Sequence, residues 1–261
     1  MNETADIAAR PIAGIGRVLV WNGASLWIGR AAGRVAPHAH HAIQVALALS
    51  GRIRLRNGPN EPWAEHAGAL VRSHHRHEFD GCGESVAQIF VEPETLAGRV
   101  LLQRQGAEPI ERLPDDVAGE LAAPLRAGLA ANATRQELVD ATERALARLA
   151  GTLRATSAID PRIARVIDHV RARKGEPMPL ADAAALAHLS PSRFRHLFAQ
   201  QTGTPFRPYL LWVRVGAAVE AAMAGQSWTD AAQDWGFADS AHLSRTCRRM
   251  FGMAPTSLIA G

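Results

Sequence analysis

Histidine is concentrated in one stretch of this chain. Of its eleven histidines, seven fall between residues 38 and 77: His38, His40, His41, His66, His74, His75 and His77. Neutral imidazole ligates transition cations and hydrogen-bonds from both ring nitrogens, so such a cluster points to metal or to a polar small molecule. His38 and His40 stand two apart, and on a strand residues i and i+2 face the same side. Arginine carries the second chemistry. Lys174 is the only lysine, so nearly every cation is a planar fork suited to phosphate or guanine. A GC-rich coding sequence accounts for that bias equally well. Placement says more than amount: of the formal net charge of +4, none arises before Ile159, where 17 basic side chains meet 17 acidic ones. From Ile159 onward 12 basic side chains face 8 acidic ones, so a polyanion would be met by the C-terminal part.

At 261 residues and 47% hydrophobic composition, the chain can bury a real core and is not of the disordered class. No run of about 18 apolar residues occurs, so no membrane-spanning helix is expected. The segment Met1 to Arg10 carries acids and no apolar centre, unlike a signal peptide. Two cysteines, Cys82 and Cys247, are too few for a disulfide framework and fit a reducing cytoplasm.

These side chains must be held by elements of three textures. Between Gly14 and Pro93, short alternating runs punctuated by glycine predict strands at 17–21, 25–29, 43–49, 52–56, 69–72 and 86–91, a small β-barrel or sandwich. From Asp115 to Leu153 the period becomes helical, with Leu121, Leu125 and Leu129 on one face and Leu138, Ala141, Ala145 and Leu149 on another. These helices are expected to dimerise or to pack back on the barrel. Ala155–Ile159 reads as a linker, because Asp160-Pro161 then supplies an N-cap and a first-turn proline.

The remainder is helical and repeats a pattern. Ile163, Val166, Ile167 and Val170 stripe a first helix ending near Lys174-Gly175. A helix over Leu180–His188, a turn at Leu189-Ser190 and a helix from Pro191 to Gln201 follow, with Phe194, Leu197 and Phe198 inward and Ser192, Arg193, Arg195 and His196 outward. This is the helix-turn-helix pattern. It recurs at Trp228–Trp235, Gly236 and a helix to Met250 capped by Asp239 or Ser240. There Leu243, Cys247 and Met250 point inward and Ser240, His242, Ser244, Arg245, Arg248 and Arg249 outward. A helix of some 19 residues from Pro205 joins the units and spans roughly 28 Å at about 1.5 Å per residue. That approaches the ~34 Å between successive major-groove faces, so two recognition helices could enter adjacent grooves from one side.

Three segments carry a resemblance to the AraC/XylS family: LADAAALAHLSPSRFRHLF at 180–198, GTPFRPYL at 203–210 and WGFADSAHLSRTCRRMFGMAP at 235–255. The resemblance implies base-reading positions at Ser192, Arg195 and His196, and at Ser240, Ala241, His242 and Arg245. Arg193, Arg248 and Arg249 are expected at phosphates. It also implies RNA polymerase as a partner. Cys247 replaces a usual phenylalanine, Gly216 interrupts the joining helix and Leu258 replaces a frequent arginine.

The segment GRVAPHAHHAIQVALALSG at 33–51 looks like the first cupin motif, with His38, His40, Gln44 and Gly51 at its spacing and glutamine in place of glutamate. His77 stands for the histidine of the second motif. Three imidazoles and an amide oxygen could bind Zn²⁺, Fe²⁺, Ni²⁺ or Mn²⁺; equally, they could line an organic effector pocket or be structural remnants. His41, His66, His74 and His75 are expected in surface or loop positions.

The sequence therefore predicts an α+β chain: a cupin-like effector-sensing barrel at 1–114, a helical dimerisation or linker segment at 115–158, and an all-α double helix-turn-helix DNA-binding domain at 159–261. The expected function is a cytoplasmic transcription regulator, activator or repressor, not an enzyme, that binds double-stranded DNA under control of a small-molecule effector in the barrel. A homodimer is admitted, no cofactor is required and a divalent metal is optional. The alternative is a metal-dependent cupin enzyme fused to a DNA-binding tail.

Overall fold

The computed structural model describes residues 14–153, 158–173 and 176–260. The N-terminal part runs β1 (Gly14–Trp21), β2 (Ala24–Ala31), β3 (Arg34–His38), β4 (Ile43–Ala48), β5 (Ile53–Arg56), β6 (Ala64–His66), β7 (Gly68–Val71), β8 (His77–Asp80) and β9 (Ser85–Val91). It continues through α1 (Leu96–Arg104), β10 (Ile110–Arg112), α2 (Asp115–Ala130) and α3 (Arg135–Ala150). A larger sheet has the order β10-β7-β4-β9-β2-β1, and a smaller one the order β3-β8-β5-β6. All six expected strands are present, along with short ones that the alternation did not reveal.

Strand period explains how the larger sheet is covered on both faces. Along β4 and β9, Ile43, Val45, Leu47, Ala87, Ile89 and Val91 join Leu121, Leu125, Leu138, Ala145 and Leu149 in one core. Their alternates Ala46, Ala48 and Val86 pack with Val35, Ile53, Leu55 and Phe79 of the smaller sheet in another. β4 is accordingly buried at every position, as a sheet buried on both faces requires. The apolar stripes of α2 and α3 are thus consumed within the chain. Thr134 and Glu137 close a capping box that fixes where α3 starts.

The C-terminal part contains α4 (Pro161–Ala172), α5 (Leu180–Leu186), α6 (Pro191–Thr202), α7 (Phe206–Met223), α8 (Trp228–Asp234) and α9 (Ser240–Phe251), then a short β11 (Leu258–Ala260). The expected linker lies mostly outside the described residues, as does the stop at Lys174-Gly175. Gly216 does not interrupt α7, which runs unbroken for 18 residues. The first unit closes on Ile163, Val166, Ile167 and Val170 with Phe194, Phe198, Phe206 and Tyr209.

The second unit shares its core with the sheets. Val18, Ala42 and Phe90 pack with Trp212, Val215, Phe237, Leu243, Cys247 and Phe251. β11 runs parallel to β1, Gly14 opposite Leu258. Sequence patterning gave no sign of this docking.

Candidate functional site

Both helix-turn-helix units are built alike. The turn residue takes a left-handed backbone in each, φ +54° at His188 and +73° at Gly236. Ser190 caps α6 by accepting from the Arg193 N–H, and Asp239 caps α9 by accepting from the His242 N–H, each supplying one of the donors a helix start leaves open. On α6, Phe194 and Phe198 are buried and Leu197 is half-buried, while Ser192, Arg193, Arg195 and His196 are exposed. On α9, Ala241, Arg245, Arg248 and Arg249 are exposed, and Ser240 and His242 are half-buried. The His242 ring lies edge-on to Phe237 at 5.2 Å, and its Nδ1 accepts from the Ala238 N–H at 3.4 Å. This imidazole thus also braces its own turn.

Charge pairing separates the two halves. Most barrel arginines are spent on carboxylates, as in Arg54–Asp80, Arg56–Glu78 and Arg104–Glu111. Among the described residues, Arg193, Arg195, Arg245, Arg248 and Arg249 form no ion pair. Uncompensated guanidinium groups thus stand on the outer faces of α6 and α9, a suitable disposition for a polyanion.

The histidine site sits at the other end of the second unit. His38, His40 and His77 are buried, and their nitrogens converge within 4.8 Å. Each Nδ1–H donates to a backbone carbonyl two residues away: His38 to Ala36 at 2.9 Å, His40 to Ala42 at 2.8 Å and His77 to His75 at 3.0 Å. That fixes one tautomer and leaves each Nε2 with a free lone pair. Burial pushes His38 down to about 3 and His40 down to about 4, and holds His77 well below the ordinary histidine range, so all three rings are neutral. Gln44, the fourth residue of the expected set, places Oε1 2.9 Å from His40 Nε2 and 3.0 Å from His77 Nε2. Its amide N–H donates to Gln88 Oε1 at 2.6 Å. The sequence therefore brought together all four of its candidate residues, while Gln88 escaped it. This donor set, three bare imidazole nitrogens and an amide oxygen, fits a first-row divalent cation.

One expectation about the neighbouring histidines fails: His66 is buried on β6. His41 lies in the β3–β4 connection, a loop position as expected, but it is buried there, its Nε2 3.0 Å from Glu94. His74 and His75 do lie in the β7–β8 connection. His41 is held by partners distant in sequence, part of a buried cluster at the boundary between the halves. Glu92 accepts from Arg171 of α4, from Trp212 Nε1 at 3.0 Å and from the Tyr209 hydroxyl at 3.3 Å. Glu94 accepts from the same guanidinium at 3.2 Å. Burial and the adjacent Glu94 push Glu92 up; burial acts likewise on Glu94, but His41 and Arg171 outweigh it and hold that carboxyl at about 2.

The end of α9 closes the sheets. Phe251 packs against Trp27 in a tilted pair with ring centroids 4.7 Å apart and lies 5.6 Å from Phe90. Behind it, an apolar cavity of about 90 Å³ is lined by Val18, Val86, His38 and Gln44 from the sheets and by Phe251 and Met253 from the C-terminal half.

Fold and paired outer faces define a two-unit helix-turn-helix DNA-binding protein. Residues 183–260 match the family model for the helix-turn-helix domain, and this domain follows a β-rich N-terminal part. The whole chain is similar in fold to ToxT from Vibrio cholerae O395, at 12% identity over 90% of this chain and 96% of that one, with a TM-score of 0.56. A second ToxT structure from that organism, bound to (E)-4-(8-methylnaphthalen-1-yl)but-3-enoic acid, matches at 12% identity over 90% and 97% with a TM-score of 0.55. An AraC-type DNA-binding domain from Chromobacterium violaceum is 26% identical over 37% of this chain and 87% of its own, with a TM-score of 0.35. Among the described residues, no helix is long and apolar enough to cross a membrane.

Proposed function

We propose that the chain reads a specific duplex sequence with α6 and α9 and that a small molecule bound among the N-terminal strands controls that reading. In this reading Arg195 and Arg245 pair with guanine edges and Ser192, His196, Ser240, Ala241 and His242 contact bases nearby. Arg193, Arg248 and Arg249 hold phosphates and set the register. The domains divide at about 114 and 158, the setting is cytoplasmic, and RNA polymerase is a further partner. A second copy of the chain would dock on surfaces other than the α2 and α3 stripes, which are already buried.

The observation carrying the control is the shared wall of the interior cavity. Phe251 ends the second recognition helix and also lines that cavity, so an occupant acts on α9 directly, and one that prefers one placement of α9 shifts the protein toward it. A protein of similar fold, ToxT, binds a small carboxylic acid, which supports a small organic ligand for this chain. Selection of bound sequences from randomised duplexes by the full chain tests the proposal. Enrichment of a bipartite motif with halves about one helical turn apart is expected; recovery of unenriched sequence overturns it.

A further inference from the structure

We infer that a cleft between the sheets and the DNA-binding half binds a phosphate monoester through Arg207, Arg249 and His41, and that the bound ester withdraws Arg249 from the duplex. The effect on DNA rests on the reading proposed above, in which Arg249 holds a phosphate; the site itself does not.

The cleft lies where the β3–β4 and β7–β8 connections meet the start of α7 and the end of α9. Its volume of about 480 Å³ falls within the ~300–1,000 Å³ of pockets that take small molecules. Leu211 and Trp212 form an apolar wall, and His41, His74, Arg207 and Arg249 supply polar groups. Among the described residues that line it, none is acidic. Arg207 and Arg249 are exposed and form no ion pair among the described residues. Two uncompensated guanidinium forks around one concavity are matched by a dianion. A phosphate monoester carries a charge of about −1.5 to −2 at neutral pH and three acceptor oxygens, whereas a carboxylate leaves one fork uncompensated.

His41 specifies the rest of the ligand. Its Nε2 lies 3.0 Å from Glu94, whose carboxyl is held at about 2 and is therefore ionised, so the hydrogen between them belongs to Nε2. In the neutral ring Nδ1 then holds a lone pair, and it is buried without a hydrogen-bond partner among the described residues, an unfavourable state for a polar atom. Glu94 is not part of the cleft wall. It engages one ring nitrogen and leaves the other for an O–H or N–H of the ligand. Tyr209 and Trp212 brace the ring edge-on at 5.5 and 6.1 Å. His74 narrows the same opening, its ring 5.6 Å from His41 and its N–H donating to the His40 carbonyl at 2.8 Å. The ester thus carries a dianionic head for the arginines and a donor on a body that lies along Trp212.

Arg249 links the cleft to the duplex. It stands four residues after Arg245, and on a helix residues i and i+4 share a face. One guanidinium therefore belongs both to the outer face of α9 and to the cleft wall. A fork turned to the ester is lost to the duplex, so ester and DNA each lower the affinity of the other by the same factor.

The test titrates the full chain calorimetrically with glucose 6-phosphate and with adenosine monophosphate, each beside its unphosphorylated counterpart, and with inorganic phosphate. At least one ester should bind, one per chain, about tenfold or more tighter than its counterpart and than inorganic phosphate; which one binds separates a sugar body from a nucleoside body. Arg207→Ala and Arg249→Ala alter exposed side chains and should each weaken that ester about tenfold or more while the melting temperature holds. With ester saturating, the selected duplex should bind at least about fivefold more weakly, and the slope of log affinity against log salt should shrink by about one. Neither ester bound, equal binding of the unphosphorylated compound, or undiminished binding by both variants overturns the site. An ester bound with DNA affinity and slope unchanged overturns the competition. Ester binding by a chain that selects no duplex sequence leaves this site standing and overturns the function proposed above; a selected duplex with no ester bound does the reverse.

Discussion

The guanidinium of Arg171, in the first helix of the DNA-binding half, is bonded to the Glu92 carboxylate at the end of β9, and both side chains are largely buried. The pair is the polar counterpart of Phe251: Arg171 fastens the first helix-turn-helix unit to the sheets and Phe251 the second. Removing one partner of such a pair leaves the others desolvated and uncompensated. Arg171→Ala, which strands Glu92 and Glu94 together, should cost about 3–5 kcal/mol in urea unfolding. Glu176→Gln, which removes an exposed ion pair with Arg173, should cost less than about 1 kcal/mol. Equal effects would show that the buried cluster does not fasten the halves.

Phe251→Ala empties the space between Trp27 and Phe90. A buried phenylalanine truncated to alanine costs about 3–5 kcal/mol, and here the loss falls on the contact between α9 and the sheets. Amide exchange in α9 and β2 should rise together. A rise confined to α9 would mean that the sheets do not depend on this plug.

Arg195 and Arg245 stand on different recognition helices. Arg195→Ala and Arg245→Ala should each relax base preference in a different half of the selected site, by about 1–3 kcal/mol of discrimination at that position. Uniform weakening on every duplex would make them phosphate contacts.

The two cysteines should differ in reactivity. Cys82 is exposed, whereas Cys247 is buried in the core of the second unit and burial pushes its thiol up to about 12. An aromatic disulfide reagent should titrate one thiol quickly in the folded protein and two in denaturant. Two fast thiols in the folded state would contradict the packing of α9.

The sequence disclosed elements with a long, clean period and missed those whose burial depends on distant partners. β4 and β9 alternate over six and seven residues and are evident, as are the stripes of α4, α6 and α9. β8 reads His77-Glu78-Phe79-Asp80, too short and polar to announce a strand, although Arg54 and Arg56 across the smaller sheet neutralise its acids. α1 follows a Thr95 cap but buries only Gly98, Val100 and Leu101, too few for a stripe. The four-residue histidine set could be drawn from spacing, since His38, His40 and Gln44 are neighbours in the chain. His41 could not be placed, because its partner Glu94 lies 53 residues away. Docking of the DNA-binding half on the sheets was equally hidden, since Phe251 and Trp212 read as ordinary core.

The most direct measurement is the ratio of affinities of the full chain for its selected duplex and for a scrambled duplex of the same length and salt. A protein that reads bases with two recognition helices should prefer the former by about 10³-fold or more, with affinity for both falling as salt rises. A ratio near one, with the salt dependence intact, would mean that the exposed arginines of α6 and α9 meet only phosphate, and the account of this chain as a sequence reader would be wrong.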